Sequence, residues 1–274
     1  GQNTGDVVDY LLEKNKSVSE LTWLLEVDIT NHEASTCTVS YDRSDVAIQV
    51  NEDMTLSGNG GSCLSIDSGG YWLSVAGQCL GKTFEVSCDQ DFVTTLLYRK
   101  PSGGTVFVSS ETHSAASLGT TEETVRAQCF KSSAGAGCDY EGSLWATLAL
   151  LKAGEDVSNF VPYLLALADE HKRFFPSAFL LTITGGNDHF SNVVQAQKQN
   201  KYWQAPASAN SRFYDTSLAL LALQGGSAAE AQQAKDYLLE IQGKDGCWNN
   251  QNFRDTAFVL YSGFPRAVSG TTGG

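Results

Sequence analysis

A hydroxyl beside an imidazole is the smallest set of side chains that supports nucleophilic catalysis, and this chain offers one such neighbourhood. Residues 109–112 read Ser-Ser-Glu-Thr and lead directly into His113. His189 follows a Gly-Gly turn and could act with Tyr202 or Tyr214 in a polysaccharide lyase or hydrolase. Spacing alone brings none of these side chains together, and the pattern at His113 is typical of a loop or helix cap. No catalytic residue is therefore predicted.

The residues that bind metals give little support to a metal site or a cofactor. Asp245 and Cys247 with either His171 or His189 could supply a zinc set, but their spacing follows no zinc motif. The chain has four histidines in all. We therefore expect no metal and no cofactor.

The seven cysteines favour disulfide bonds, because none of them forms the Cys-x-x-Cys pair of redox and zinc motifs. They are Cys37, Cys63, Cys79, Cys88, Cys129, Cys138 and Cys247. The simplest pairing has two disulfides among the first four, with connectivity left open, one between Cys129 and Cys138, and a free thiol at Cys247. Disulfides persist in oxidising compartments, so we expect an extracellular or cell-surface protein.

The charge of the chain excludes some partners. The net charge of −13 argues against nucleic acid and against an anionic membrane surface. Residues 1–112 contain 16 acidic and 6 basic residues, whereas residues 113–274 contain 15 and 12. This difference indicates two regions of different character. No apolar run is long enough to span a bilayer. A start at Gly1 without Met indicates a mature product or a fragment.

Apolar segments recur in the second half of the chain, with starts separated by about 35 to 40 residues. Buried helices are expected at 141–151, 176–183, 215–223 and 255–261. Amphipathic helices are expected before and between them, at 122–129, 157–171, 190–201 and 228–242. Asp215 and Asp255 suit the N-cap positions of two buried helices.

Two turns in this region share a Gln placed a few residues before a Trp. Gln242 precedes Trp248 across a turn with two glycines, and Gln197 or Gln199 stands similarly before Trp203. The Trp ring is expected to pack over its turn while the Gln amide bonds the turn backbone. We assign both residue types a structural role.

The chain is predicted to have four parts. They are a first helical hairpin at 1–29, an inserted β-rich domain at 30–111, further helical hairpins at 112–266, and a tail or linker at 267–274. The first hairpin is expected because residues 7–15 share Tyr-Leu-Leu-Glu with residues 234–242. Strands are expected at 35–41, 46–50, 71–75, 83–88, 92–98 and 105–109, where apolar residues alternate between turn signals.

The pattern Gln242-x-x-Asp245-Gly246-x-Trp248, with the Asp-Thr helix starts at 215 and 255, resembles a known superfamily. This is the α/α-toroid superfamily of terpenoid cyclases, protein prenyltransferases and complement-like thioester domains. The resemblance covers residues 112–265 and the first hairpin. It implies an α+β chain, in which five countable hairpins form an incomplete α/α toroid with an inserted, disulfide-braced β-sandwich-like domain.

The chemistry of that superfamily is missing from this chain. The Asp-x-Asp-Asp motif of the cyclases does not occur. Thioester domains join a Cys to a Gln three residues later, but the residue at that distance from Cys138 is Glu141. A carboxylate lacks the leaving group of an amide, so a disulfide from Cys138 to Cys129 is the favoured state.

These observations favour a non-catalytic extracellular structural or adhesive domain, such as a surface-protein or filament subunit. Two alternatives stay open. One is a carbohydrate- or isoprenoid-acting enzyme that uses the toroid centre, and the other is a degenerate thioester-type binding protein. The expected partners are other protein subunits, through self-association, and a glycan is a further candidate. Nucleic acid and membrane insertion within this chain are not expected.

Overall fold

The computed structural model describes residues 5–132, 135 and 137–265. The chain forms two compact units. The first, called the β unit, comprises Gly1–Asp139 and Asp156–Leu167. The second, called the helical unit, comprises Tyr140–Glu155 and Ala168–Gly274.

The strands of the described residues all lie in the β unit. They are β1 (Asn15–Ser17), β2 (Thr22–Ile29), β3 (Ser35–Tyr41), β4 (Ser44–Val50), β5 (Leu56–Gly58), β6 (Leu64–Ile66), β7 (Leu73–Val75), β8 (Thr83–Cys88), β9 (Phe92–Arg99), β10 (Phe107–Ala115), β11 (Thr120–Thr124) and β12 (Gln128–Phe130). The α-helices are α1 (Gly5–Glu13), α2 (Tyr140–Ala153), α3 (Val161–Ala166), α4 (Pro176–Thr184), α5 (Asn187–Gln195), α6 (Arg212–Ala222), α7 (Ala229–Glu240) and α8 (Phe253–Gly263).

Two five-stranded antiparallel sheets and one two-stranded ribbon build the β unit. The first sheet has the order β10-β9-β2-β7-β6, the second has the order β11-β8-β3-β4-β5, and β1 pairs with β12. Alternate residues of β3 and β8 are buried, as in strands with one face on a core. The sheets contact each other where the Thr94 hydroxyl of β9 lies 2.9 Å from the Thr121 hydroxyl of β11.

Three disulfides brace the β unit. Cys37 and Cys88 stand directly opposite each other on β3 and β8. The other two bonds join Cys63 to Cys79 and Cys129 to Cys138. The last is the pair favoured by the sequence, and the first two settle the connectivity that was left open. Cys247 keeps a free thiol.

The first helical hairpin expected at 1–29 is wrong, because its second half is a strand. Residues 22–29 form β2, which lies between β9 and β7 at the centre of the first sheet. Leu24 and Leu25 are both buried there, since a central strand meets neighbours on both faces. Because apolar residues precede Glu26 and Asp28 without interruption, the alternating pattern of a strand is not apparent, and the segment resembles a buried helix.

The amphipathic helix expected at 122–129 is also wrong. Residues 120–124 form β11 and residues 128–130 form β12. Side chains alternate inward along β11, so that Thr121 and Glu123 are buried between exposed neighbours. The β structure therefore extends on both sides of the region expected at 30–111.

The helices of the helical unit begin at residues other than the expected acidic caps. Ser211 caps α6 by accepting a bond from the Tyr214 amide, and Asn252 caps α8 by accepting one from the Asp255 amide. Both caps place a short polar side chain where the first amides lack partners. Asp215 and Asp255 lie inside the first turns that follow, so their assignment as N-caps is wrong.

The α+β class is confirmed, but the α/α toroid is wrong. The described residues form a sheet-rich β unit and six helices of 9 to 14 residues in the helical unit. The expected segment 157–171 contributes only the short α3, and that helix belongs to the β unit. Without the first hairpin and the helix at 122–129, no ring of helix hairpins is present in the described part of the chain. None of its helices has both the length and the apolar character needed to cross a membrane.

Candidate ligand-binding cleft

The turn after α7 is built by three backbone-directed bonds. The Gly243 amide donates to the Cys247 carbonyl at 2.9 Å, and the Gly246 amide donates to the Gly243 carbonyl at 2.8 Å. The Gln242 side-chain amide donates to the Gly246 carbonyl at 2.8 Å. This last contact is the role predicted for Gln242 from the sequence. Gly246 has a φ of 80°, a conformation that disfavours other residues.

Trp248 anchors the turn to the helices on either side. Its indole Nε1 donates to the Leu238 carbonyl at 2.8 Å, and its backbone amide donates to Thr256 Oγ1 at 3.0 Å. The ring is 2% exposed. The indole therefore satisfies its one polar group while it is buried, as a structural Trp must.

Trp203 makes the same two kinds of hydrogen bond as Trp248. Its Nε1 donates to the Val193 carbonyl at 2.7 Å, and its amide donates to Thr216 Oγ1 at 3.0 Å. Gln197 does not bond the backbone of its own turn as Gln242 does, because its side-chain amide donates to the Glu230 carbonyl on α7. The recurrence recognised in the sequence is therefore real at the Trp and Thr positions and local in extent.

Asp245 holds the exposed side of the turn after α7. Its Oδ1 accepts from the Cys247 amide at 3.0 Å, and its Oδ2 accepts from Gln251 Nε2 at 2.6 Å. The bond from the Cys247 amide, followed by that from Gln251, holds the pKa of the carboxyl below its usual value. A Cβ at Gly243 would lie 2.6 Å from Asp245 Oδ1, so a larger residue there would displace the Asp245 side chain from its bonds to the turn. Asp245 is thus an ionised acceptor committed to its own turn.

This turn and the start of α6 enclose a cleft of about 650 Å³. It is lined by Arg212, Phe213, Ile241, Gly243, Lys244, Asp245, Cys247, Asn249, Asn250 and Gln251. Residues 249–251 all have positive φ values, between 50° and 65°. Consecutive left-handed residues are uncommon outside glycine and cluster at sites that hold ligands.

Arg212 stands at the cleft against a set of aromatic rings. Its guanidinium lies 5.4 Å from the ring centres of Tyr202 and Phe213, and 5.8 Å from that of Tyr237. Tyr202 and Tyr237 are themselves 5.7 Å apart. Rings at these distances attract the cation and limit its freedom. The guanidinium is exposed and lies beside three rings, with its donors available to a ligand.

The two buried aspartates of the helical unit serve the fold. Asp215 is 1% exposed and accepts from the Ala205 amide at 2.9 Å and from Ser208 Oγ at 3.3 Å. Burial raises the pKa of its carboxyl to about 6, with a smaller contribution from the charge of Asp255. Asp255 accepts from the Ser211 hydroxyl and from Asn249 Nδ2.

Tyr214 lies among aromatic rings, and the charges of Glu141, Arg254 and Asp215 act on its hydroxyl. Its ring packs 5.2 Å from Phe258 and 6.4 Å from Trp145, and the Arg254 guanidinium lies 4.9 Å from its centre. Burial raises the pKa of the Tyr214 hydroxyl. Asp215 accepts from donors of the loop before α6. Asp255 accepts from Asn249 of its own loop and from Ser211 at the start of α6.

His113 of the β unit has an acidic partner that sequence spacing did not identify. Its Nδ1 lies 2.8 Å from Glu123 Oε1, and Glu123 also accepts from the Thr94 hydroxyl at 2.8 Å. The hydrogen bond to Glu123 raises the pKa of the imidazole. Among the described residues, no hydroxyl or thiol is hydrogen-bonded to this imidazole.

The other candidate histidines lie apart from the cleft residues. His171 stacks on Tyr140 at 4.1 Å, and burial lowers its pKa. Burial also lowers the pKa of His189. In the part of the chain that the structure describes, no group of three His, Cys, Asp or Glu side chains is placed to hold a metal. Asp245 and Cys247 share one turn, but neither histidine joins them.

Cys138 is unavailable for a thioester because its sulfur is bonded to Cys129. The thiol at the cleft belongs to Cys247, which is partly buried. Sequence reasoning singled out Gln242, Trp248 and the turn between them, but it missed Arg212 and Lys244. The Gly-Lys-Asp-Gly run signals a turn, whereas no sequence signal places Arg212 beside it.

Comparisons with protein-family models, with curated proteins and with solved structures find no match for this chain. The side chains of the cleft therefore carry the functional conclusion.

Proposed function

We propose that this protein is a non-catalytic extracellular adhesive domain that binds its ligand in the cleft between the turn after α7 and the start of α6. The observation that supports this most directly is that the carboxylate of the cleft is hydrogen-bonded within its own turn while the two cations have no carboxylate partner. Both oxygens of Asp245 accept bonds from its own turn. Arg212 and Lys244 have no carboxylate partner among the described residues. Apart from the Cys247 thiol, the cleft thus presents binding groups without an acid or base that is free to transfer protons.

The extracellular part of the proposal is supported by the disulfides. Six of the seven cysteines are paired. Such bonds persist in secreted and surface proteins and are reduced in the cytosol. They also hold the β unit rigid, which suits a domain that acts by contact.

Adhesion is tested by binding to defined surfaces. Mucin, hyaluronan, collagen and uncharged dextran are immobilised separately, and binding of the wild-type protein is compared with that of the Arg212→Gln/Lys244→Gln double variant. Lys198→Gln serves as a control, because Lys198 is an exposed cation of the helical unit that does not line the cleft. We expect binding to at least one surface, loss in the double variant, and a chemically intact ligand. Cleavage of the ligand, or no binding to any surface, would contradict the proposal.

A second candidate, a self-associating structural or filament subunit, is favoured by α8. Phe253 is 87% exposed, Tyr261 is 65% exposed and Leu260 is 48% exposed on this helix. Spacings of seven and eight residues place these side chains towards one side of a helix. A clustered apolar surface of this kind is a contact region in many proteins, and a second copy of the chain is the proposed partner.

Self-association is tested by light scattering and electron microscopy. We expect an oligomer or fibre that Phe253→Ser and Tyr261→Ser disrupt. Tyr71→Ser, at an exposed ring of the β unit, is the matched control and should leave assembly intact. A monomer at all accessible concentrations would remove this candidate.

A further inference from the structure

The cleft is open and has the volume of a site for a small ligand. Its volume of about 650 Å³ falls within the range of roughly 300–1,000 Å³ that is usual for small-ligand sites. All of its lining residues belong to the helical unit. The turn on one side is held rigid by the bonds of Gln242 and Asp245, so the cleft exists before any ligand arrives.

The charge of the cleft selects an anion. Arg212 and Lys244 carry two positive charges, and neither makes a salt bridge within the described residues, whereas the one carboxylate, Asp245, has both oxygens occupied. A planar guanidinium forms paired hydrogen bonds with a carboxylate. The rings of Tyr202, Phe213 and Tyr237 favour a guanidinium on this side of the cleft.

The remaining lining adds a requirement for hydroxyl groups and a flat apolar face. Phe213 and Ile241 supply the apolar surface, and Asn250 and Gln251 bring side-chain amides that can both donate and accept hydrogen bonds. A sugar ring has an apolar face and a rim of hydroxyls that match these two features. An acidic peptide would use the cations, and its backbone would pair with the amides, but its carboxylate side chains offer no ring face to Phe213 and Ile241.

We infer that the cleft binds a carboxylate-bearing sugar residue of a glycan, with the carboxylate on Arg212 and Lys244 and the ring against Phe213. This inference rests on the adhesive function proposed above and adds the chemical class of the ligand.

Cys247 provides a direct reporter, because it lines the cleft and is the free thiol of the chain. The rate of alkylation by iodoacetamide, a neutral reagent, is followed by intact mass in the oxidised protein. Three probes are compared: trigalacturonic acid, the neutral sugar maltotriose, and triglutamate, which carries the same number of side-chain carboxylates. We expect trigalacturonic acid to slow alkylation about tenfold when its concentration is about ten times its Kd. Maltotriose and triglutamate should have little effect.

Substitutions in the cleft test whether the probe protects Cys247 from alkylation by binding there. Arg212→Gln and Lys244→Gln should each remove most of the protection, and Lys198→Gln should retain it. Added salt should weaken the protection, because the contact is ionic. Alkylation of each variant without a probe supplies its own baseline.

Three results would overturn the inference. They are equal protection by maltotriose, equal protection by triglutamate, and no protection by trigalacturonic acid up to about 10 mM, ten times the Kd of a complex with an affinity of about 1 mM. The surface-binding experiment judges the adhesive function separately. If collagen or dextran binds in a manner that depends on Arg212, adhesion stands and the acidic-sugar class is wrong; if no surface binds, both are wrong.

Discussion

The Ser211 hydroxyl donates a hydrogen bond to the Asp255 carboxylate while the same oxygen accepts the Tyr214 amide at the start of α6. One side chain therefore caps its own helix and ties that helix to the first turn of α8. Asp255 also accepts from Asn249 Nδ2 at 2.7 Å, which links the buried carboxylate to the turn that lines the cleft.

Replacing Asp255 with Asn should destabilise the helical unit. An amide group would direct a donor at Ser211, Asn249 or Arg254, each of which already donates to the carboxylate. We expect a loss of about 1–3 kcal/mol in the free energy of unfolding, measured by denaturant titration at pH 7.

Asp215→Asn is the matched control for that substitution. An Asn there can accept from the Ala205 amide and donate to Ser208 Oγ, so both existing partners remain bonded. We expect its stability at pH 7 to equal or exceed that of the wild type. Equal losses from both substitutions would show that Asp255 has no special role.

Asp215 should also impose a pH dependence on stability. Its folded pKa of about 6 lies above the unfolded value of about 4. Between these values the folded state retains a proton that the unfolded chain has released, so the free energy of unfolding falls as the pH rises through this window. A shift of about two pKa units corresponds to a fall of about 3 kcal/mol.

Denaturant titrations of the wild type and of Asp215→Asn at several pH values isolate this effect, because other titrating groups cancel in the difference. We expect the two proteins to diverge between about pH 4 and 6 and to run in parallel outside that window. Parallel curves throughout would mean that Asp215 is not buried as an acid.

His113 and His189 should titrate on opposite sides of the ordinary histidine value. The hydrogen bond to Glu123 raises the pKa of His113, and burial lowers that of His189. NMR titration of the ring protons compares the two in one sample, and Glu123→Gln should lower the pKa of His113 while that of His189 stays unchanged. Because the folded pKa of His113 is raised, its stabilising contribution is present at low pH and is lost as the pH rises through the folded value. A His113 pKa that does not respond to Glu123→Gln would contradict the pairing.

Gln242→Glu should loosen the turn after α7. The substitution removes the donor to the Gly246 carbonyl and places a negative charge beside it. We expect a loss of about 0.5–1.5 kcal/mol, measured by denaturant titration. Gln233→Glu adds the same charge at an exposed site on α7 and should change stability little. A similar loss in both variants would assign the effect to charge alone.

Strands with one buried face were predictable from the sequence, whereas the strand that is buried on both faces was not. β3 and β8 were predicted with their observed bounds, because each alternates between a buried and an exposed face. β2 was not, because its central place in the sheet makes Leu24 and Leu25 equally buried. A run of apolar residues carries no period, and length alone could not separate a strand from a helix.

The candidate site was predictable only where its parts are close in sequence. The turn with Gln242 and Trp248 was visible from its glycines and its tryptophan. Arg212 could not be assigned to it, because the packing of α6 beside α7 and α8 decides which distant residue faces the turn. The N-caps were mispredicted for a related reason. Ser211 and Asn252 are as suitable for capping as Asp215 and Asp255, and the sequence does not show at which of them each helix begins.

In the turn after α7, some residues hold the shape of the turn and others only line the cleft. Gly243, Asp245 and Trp248 are fixed by close approach, by paired bonds and by burial. Lys244 and Asn250 line the cleft and are exposed. Substitution of Lys244 should therefore alter the proposed recognition without refolding the domain, which makes this position practical for grafting a new specificity. The left-handed φ of 53° at Asn250 limits replacements there.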